Sequence, residues 1–206
     1  MLKKHIVLLG VIVSISLLYL ATLHYPGGSL VDKTALGFDW KNNYISNLFG
    51  EKAVNGSDNG ARYWAIGGMF FLAVSFALFF MEFSKKIPAK GPANVIKYCG
   101  ISGMICMFLI ATPLHDSMVT ISSTLFLIGI FYITVFVFKS RLHVFKFMCL
   151  VCLLVFYFTL FIYGSGILRM YLPILQKITF AITSLLVIGL EYFTRKEDFQ
   201  HIKVVK

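Results

Sequence analysis

His24, Asp39, His115 and Asp116 are the side chains of this chain best suited to acid–base or ligand chemistry. An imidazole titrates near neutral pH, and a neighbouring carboxylate raises its basicity. His115 and Asp116 are adjacent in sequence and form such a pair. With Ser29 or Ser46 as nucleophile, the set would suit acyl transfer. No Gly-x-Ser-x-Gly elbow accompanies them. The same four side chains supply nitrogen and oxygen donors that suit zinc or manganese. They come from three separate segments, and the chain holds no His-x-x-x-His or His-Glu-x-x-His pair. No cofactor is expected, and zinc or another divalent metal stands as the lesser alternative. The residues leave open whether the chain is an enzyme.

A second set would suit binding rather than catalysis: Asn43, Ser46, Arg62, Thr120, Arg169 and Lys177. Their amide, hydroxyl and cationic groups fit a lipid headgroup or a small polar ligand. Each residue also has a plain structural use. Asp116 can cap a helix N-terminus, His24 can sit as an interfacial aromatic, and Arg62 can reach phosphates from a helix end.

The elements that must position these residues are apolar. Of 206 residues, 58% are hydrophobic and 14% charged, with 21 Phe and 10 Tyr. That balance excludes a soluble domain of this length. Six runs reach spanning length, roughly 5–23, 63–82, 96–113, 118–138, 145–163 and 172–193. About 20 apolar residues cross a bilayer core as a helix. A barrel would show short alternating segments instead. The fold expected is all-α, a polytopic bundle of six transmembrane helices forming a single integral membrane domain over 1–206. No small-x-small cleavage site follows the first run, so it is read as a span rather than a signal peptide.

A net charge of +10 would suggest nucleic acid in a soluble protein. Here the placement of charge decides. Thirteen of the 19 Lys and Arg fall on one side of the six spans, among them Lys3, Lys4, Lys85, Lys86, Lys139, Arg141, Lys203 and Lys206. The positive-inside rule then puts both termini in the cytoplasm and the long 24–62 loop outside. No nucleic acid partner is expected. The bilayer is the first partner, with a lipid or small-molecule ligand and a membrane-protein partner as further ones.

The 24–62 loop opens on Tyr25-Pro26-Gly27-Gly28, which breaks the first helix. Residues 39–49 read as a short interfacial helix, with Trp40, Tyr44, Ile45 and Leu48 on one face and Asp39, Asn43, Ser46 and Asn47 on the other. Asn55-Gly56 and Asn59-Gly60 are turn dipeptides. Further on, Asp116, Thr120, Ser123 and Thr124 form a polar stripe entering span four, and Gln176, Lys177, Thr179 and Thr183 a similar one in span six. Cys149 and Cys152 form a C-x-x-C, but all four cysteines fall toward the cytoplasmic halves of their spans. They read as small packing residues.

Asn43-Tyr44-Ile45-Ser46-Asn47-Leu48 after span one, Arg62 opening span two, and Thr112-Pro113-Leu114-His115-Asp116 between spans three and four carry a resemblance. On these the chain resembles a bacterial six-helix membrane family known as domain of unknown function 998. Members tend to have an Ile-Ser-Asp-Leu-Gly-like string after the first helix, and Asn47 stands here where that Asp would be. The resemblance implies a six-helix fold and an envelope location, which for a bacterium is the inner membrane. Three roles remain: a headgroup or small-ligand binder acting as receptor, carrier or accessory subunit; an enzyme acting on an outer-leaflet or extracytoplasmic substrate; or a structural subunit that docks a partner through the 24–62 loop.

Overall fold

A computed structural model describes residues 5–202. Lys3, Lys4, Lys203 and Lys206, used above for orientation, lie outside the described residues. The architecture is helical: α1 (Ile6–Leu23), a 3-10 turn (Ile45–Phe49), α2 (Arg62–Ser84), α3 (Lys90–Leu109), α4 (His115–Lys139), α5 (His143–Ser165), a second 3-10 turn (Arg169–Tyr171), α6 (Leu172–Phe193) and the short α7 (Glu197–Gln200). Six of these helices are long and apolar enough to cross a membrane, so the chain is read as an integral membrane bundle. Among the described residues there is no strand, only isolated bridges at Gly27–Leu36 and Lys52–Asp58 within the first loop.

Two boundaries differ from the sequence reading. α3 starts at Lys90 rather than 96, because Pro92 sits in the first turn, where its missing N–H breaks no helical bond. α3 ends at Leu109, and the chain then tightens into i to i−3 bonds, Ile110 N–H to Met107 O and Thr112 N–H to Leu109 O. The short helix expected over 39–49 is instead a turn at Asp39 followed by the 3-10 turn. The Asp39 carboxylate accepts from Lys41 N–H and Asn42 N–H, and these side-chain bonds displace a regular helix start.

α2 is the central helix. Phe76, Phe79, Phe80 and Phe83 recur at i, i+3, i+4 and i+7 and are all buried. The Phe80 ring lies against Gly100 of α3 and Gly129 of α4, and edge-on to Phe126 at 5.7 Å. Phe126 stacks in turn on Phe156 of α5 at 5.3 Å. α1 and α2 approach closely because Gly10 faces Ser75 and Gly68 faces Ser14 and Leu18. Small residues at the contact are how membrane helices gain dispersion contacts without a hydrophobic drive between them.

The two ends of the bundle are tied differently. At one end, the 24–62 loop, the 110–114 turn and the 166–171 turn gather; this is called the loop end below. At the other, the Lys86 ammonium donates to Leu190 O and Glu191 O, both at 3.2 Å, and lies 3.9 Å from the Glu191 carboxylate. Lys86 thereby satisfies late carbonyls of α6 and meets the negative end of its dipole. Burial pushes the Lys86 amine below its ordinary value, and Glu191 opposes that shift. Phe199 of α7 packs on Phe83 at 5.6 Å beside this contact.

Candidate functional site

The 24–62 loop has a fixed internal fold built on buried amides. Asn43 is fully buried; its Nδ2 donates to Gly28 O at 2.8 Å and its Oδ1 accepts from Asp39 N–H at 2.8 Å. Asn59 is buried too, donating to Leu48 O and Gly50 O at 3.1 and 2.9 Å and accepting from Ala61 N–H. Asn47 Oδ1 accepts from Tyr44 N–H at 2.7 Å. Tyr25 is buried, its hydroxyl accepts from Val54 N–H at 3.0 Å, and burial pushes its phenol pKa up. Gly28, at φ +82°, lets the chain pass against the Val54–Asn55 backbone where a Cβ would collide. Buried amides that satisfy several backbone groups at once hold irregular chain in one shape.

Two residues of α6 fasten this cap to the bundle. Ile45 N–H donates to Gln176 Oε1 at 2.8 Å. The Lys177 ammonium donates to Asn43 O at 2.6 Å and Pro173 O at 2.8 Å, and lies 5.6 Å from the Phe38 ring centroid. The Asn42 amide holds the Asp39 carboxylate below its usual range, helped by backbone N–H groups and by the Lys177 charge. Asp39, Asn43 and Lys177 are therefore one connected unit, and its groups are engaged with the loop itself.

The other residues expected to form a site lie apart from it. His24 is exposed; its Nδ1 is 2.8 Å from Leu20 O of its own helix, and its ring is 5.9 Å from that of Trp64. Arg62 donates to the Glu51 carboxylate at 2.8 Å, beside an open cleft of about 270 Å³ that also touches Asp58, Asn59, Gly60 and Tyr63. His115 Nδ1 is 2.9 Å from an exposed Asp116 carboxylate, and Thr120 donates to Asp116 O within the same helix. Ser46 is half-buried in the 3-10 turn. Arg169 is exposed, with its guanidinium over Gly166 and facing the Tyr44 phenol, whose pKa burial raises and Arg169 holds down. No hydrogen bond or ion pair joins His24, Asp39, Arg62 and His115 to one another among the described residues. Nor, within the same residues, do three His, Cys, Asp or Glu gather as a ligand set. The free cysteines Cys149 and Cys152 are buried, with Cys152 Sγ 3.8 Å from Thr183 Oγ1.

The sequence places Gln176 only in the polar stripe of span six, Tyr25 only in the helix-breaking turn and Asn59 only in a turn dipeptide; none of these signals reports the bonds they make. The burial of Asn59 and its three carbonyl partners depend on chain 9 to 12 residues away.

The cap carries its own pH dependence. Asp32 and Asp39 are both held below the ordinary carboxylate value of 3.8, Asp32 first by the Thr34 hydroxyl. Ionised, they anchor these turns, so the stabilisation is complete above 3.8 and fades as pH falls through the depressed folded values. Near-ultraviolet circular dichroism, which sees Trp40 packed on Phe38 at 5.3 Å, should hold steady between pH 7 and 5 and fall below the ordinary carboxylate range, while helix content persists.

Comparison with protein-family models, with curated protein sequences and with solved structures found no match to this chain.

Proposed function

We propose that the chain is a six-span membrane protein with both termini cytoplasmic and the 24–62 cap outside. Its role is that of an accessory subunit that presents the cap to a membrane-protein partner. The orientation rests on the concentration of Lys and Arg in the links opposite the cap. Membership of the six-helix family of domain of unknown function 998 and a bacterial inner-membrane location belong to the same proposal. They rest on the Asn43–Leu48, Arg62 and Thr112–Asp116 strings.

One observation carries the docking role: the cap buries Asn43 and Asn59, yet its 30–40 stretch leaves large apolar side chains exposed. Leu30, Val31 and Leu36 are 61%, 76% and 92% exposed, and Trp40 further along the same stretch is also exposed. Clustered exposed apolar residues on folded chain mark interaction surfaces. In mild-detergent extracts of the native membrane, the protein should migrate in native gels within an assembly larger than itself. The Leu30→Asn/Val31→Asn/Leu36→Asn variant should run as the free chain at unchanged abundance. Wild type and variant migrating alike would contradict the docking role.

A headgroup-binding role has one observation in its favour. Arg169 makes no hydrogen bond or ion pair among the described residues, and exposed Ile167, Leu168, Met170 and Tyr171 surround it. An exposed guanidinium at the tip joining two spans suits a lipid phosphate. In lipid nanodiscs, Arg169→Gln should lower the phosphatidylglycerol retained by the purified protein and leave phosphatidylcholine unchanged.

A further inference from the structure

The cap and the α5–α6 link meet at Tyr44 and Arg169. Asn43 O accepts from Lys177 at 2.6 Å, and Ile45 N–H donates to Gln176 at 2.8 Å. Tyr44 stands between these two contacts, so it is held against the first turns of α6, into which the Arg169–Tyr171 turn leads. It is half-buried, and its phenol lies within electrostatic reach of the Arg169 guanidinium and the Tyr163 phenol. Tyr163 belongs to the last turn of α5 and is 38% exposed. Polar side chains from the cap, from α5 and from the link therefore gather at the loop end.

The link is shaped to hold the guanidinium there. Gly166 and Leu168 both take left-handed backbone, at φ +74° and +59°. A bulky side chain rarely adopts that conformation. The chain folds back, and the Arg169 side chain lies over Gly166, where a Cβ would stand 3.0 Å from Nε and 3.1 Å from Nη2. The Arg169 and Tyr163 side chains make no hydrogen bond among the described residues, and Tyr44 meets Asn47 through its own backbone. No carboxylate of the loop end is spent on the guanidinium: Asp32, Asp39, Glu51, Asp58 and Asp116 are each bonded to a different partner.

Position and donor geometry select the ligand. Residues 166–171 alone join α5 to α6, and Ile167, Leu168 and Met170 among them are exposed. A short apolar link between two spans rests where acyl chain gives way to headgroup, and phosphate is the anion at that level. The guanidinium fork takes two oxygens of an oxyanion. A carboxylate has no further oxygen to offer, whereas a phosphate keeps others for the phenols. We propose that Arg169, Tyr44 and Tyr163 form a phosphate-binding site, and that the bound phosphate fastens the cap to the α5–α6 link. The site rests on Arg169 as a phosphate ligand, as the headgroup role above does, and adds to it the two phenols and the cap.

The test is amide exchange of the full chain in phosphate-free dodecyl maltoside micelles. The probes are dioctanoyl phosphatidylglycerol, dioctanoylglycerol as the same chains without phosphate, and inorganic phosphate against chloride at equal ionic strength. Phosphate binding should slow exchange across residues 43–48 by about threefold or more at concentrations a few times the dissociation constant, and dioctanoylglycerol should not. Slowing by phosphatidylglycerol assigns a lipid headgroup as the source. Slowing by inorganic phosphate alone upholds the site with a soluble ligand and sinks the headgroup role. Arg169→Gln should abolish the effect. Tyr44→Phe and Tyr163→Phe should each weaken apparent affinity by about threefold to tenfold, the loss of one hydrogen bond, with the guanidinium intact. If phosphatidylglycerol binding needs Arg169 but the double Phe variant binds like wild type, the headgroup role stands and the three-residue site is overturned. Exchange that neither phosphate probe slows, that dioctanoylglycerol slows equally, or that stays slowed in Arg169→Gln would overturn it too.

Discussion

Asn43→Ala is expected to unfold the cap while leaving the six spans in place. Asn43 is fully buried, and both ends of its amide are engaged, with Gly28 O and Asp39 N–H. Alanine would leave the buried Gly28 carbonyl without a partner, at about 1–3 kcal/mol, and the partly buried Asp39 N–H without one at a smaller cost. It would also loosen the carbonyl that Lys177 grips. Much of the cap's chain is irregular and held by side-chain bonds rather than by helix, so a loss of that size should populate its open form. Protease cleavage within residues 30–60 should accelerate by about tenfold or more, as expected when a low-stability region opens more often. Helix content and membrane abundance should stay near wild type. Cleavage at the wild-type rate would mean that the amide is not holding the loop.

Gly100→Val should destabilise the bundle itself. A Cβ at Gly100 would collide with Cβ, Cγ and Cδ1 of Phe80, the near end of that side chain rather than its mobile tip. Phe80 is fully buried and held by Phe79 and Phe126 as well as by Gly129, so it has no vacant direction to rotate into. α3 would have to move away from α2, and overpacking of this kind costs about 1–3 kcal/mol and sometimes more. Thermal unfolding in detergent should shift down accordingly. The decisive comparison is a double-mutant cycle. Phe80→Ala alone costs about 3–5 kcal/mol by leaving a cavity, but in that background Gly100→Val should cost far less, because the added methyls fill vacated space. Equal costs in both backgrounds would show that the ring is not what excludes a side chain at position 100.

The six spans were legible because each is a continuous apolar run whose length alone identifies it. The polar loop was legible as an exception to that pattern, though its fold was not. The amide of Asn43 groups it with the ligand-binding residues, yet it is fully buried against Gly28, 15 residues earlier in the chain. Lys177 belongs by residue type to the ligand-binding set. Its ammonium is instead taken up by Asn43 O and Pro173 O, a contact across 134 residues that no local pattern encodes. The helix expected over 39–49 failed for a local reason, the capture of backbone N–H groups by the Asp39 and Asn43 side chains. Apolar periodicity registers faces and lengths. It carries no information on which amide meets which carbonyl once the chain doubles back.

Amide hydrogen exchange in nanodiscs tests most directly whether residues 24–62 form a preordered cap fastened to α6. Slow exchange is expected at Gly28, Asn43, Ile45, Ala53, Val54 and Asn59, whose N–H groups are all bonded within the cap or to Gln176. Gln176→Ala/Lys177→Met should abolish that protection across the loop while leaving α2 and α3 protected. Exchange at the rate of unstructured chain in the wild-type protein, or protection that survives loss of both α6 contacts, would contradict the cap and its attachment.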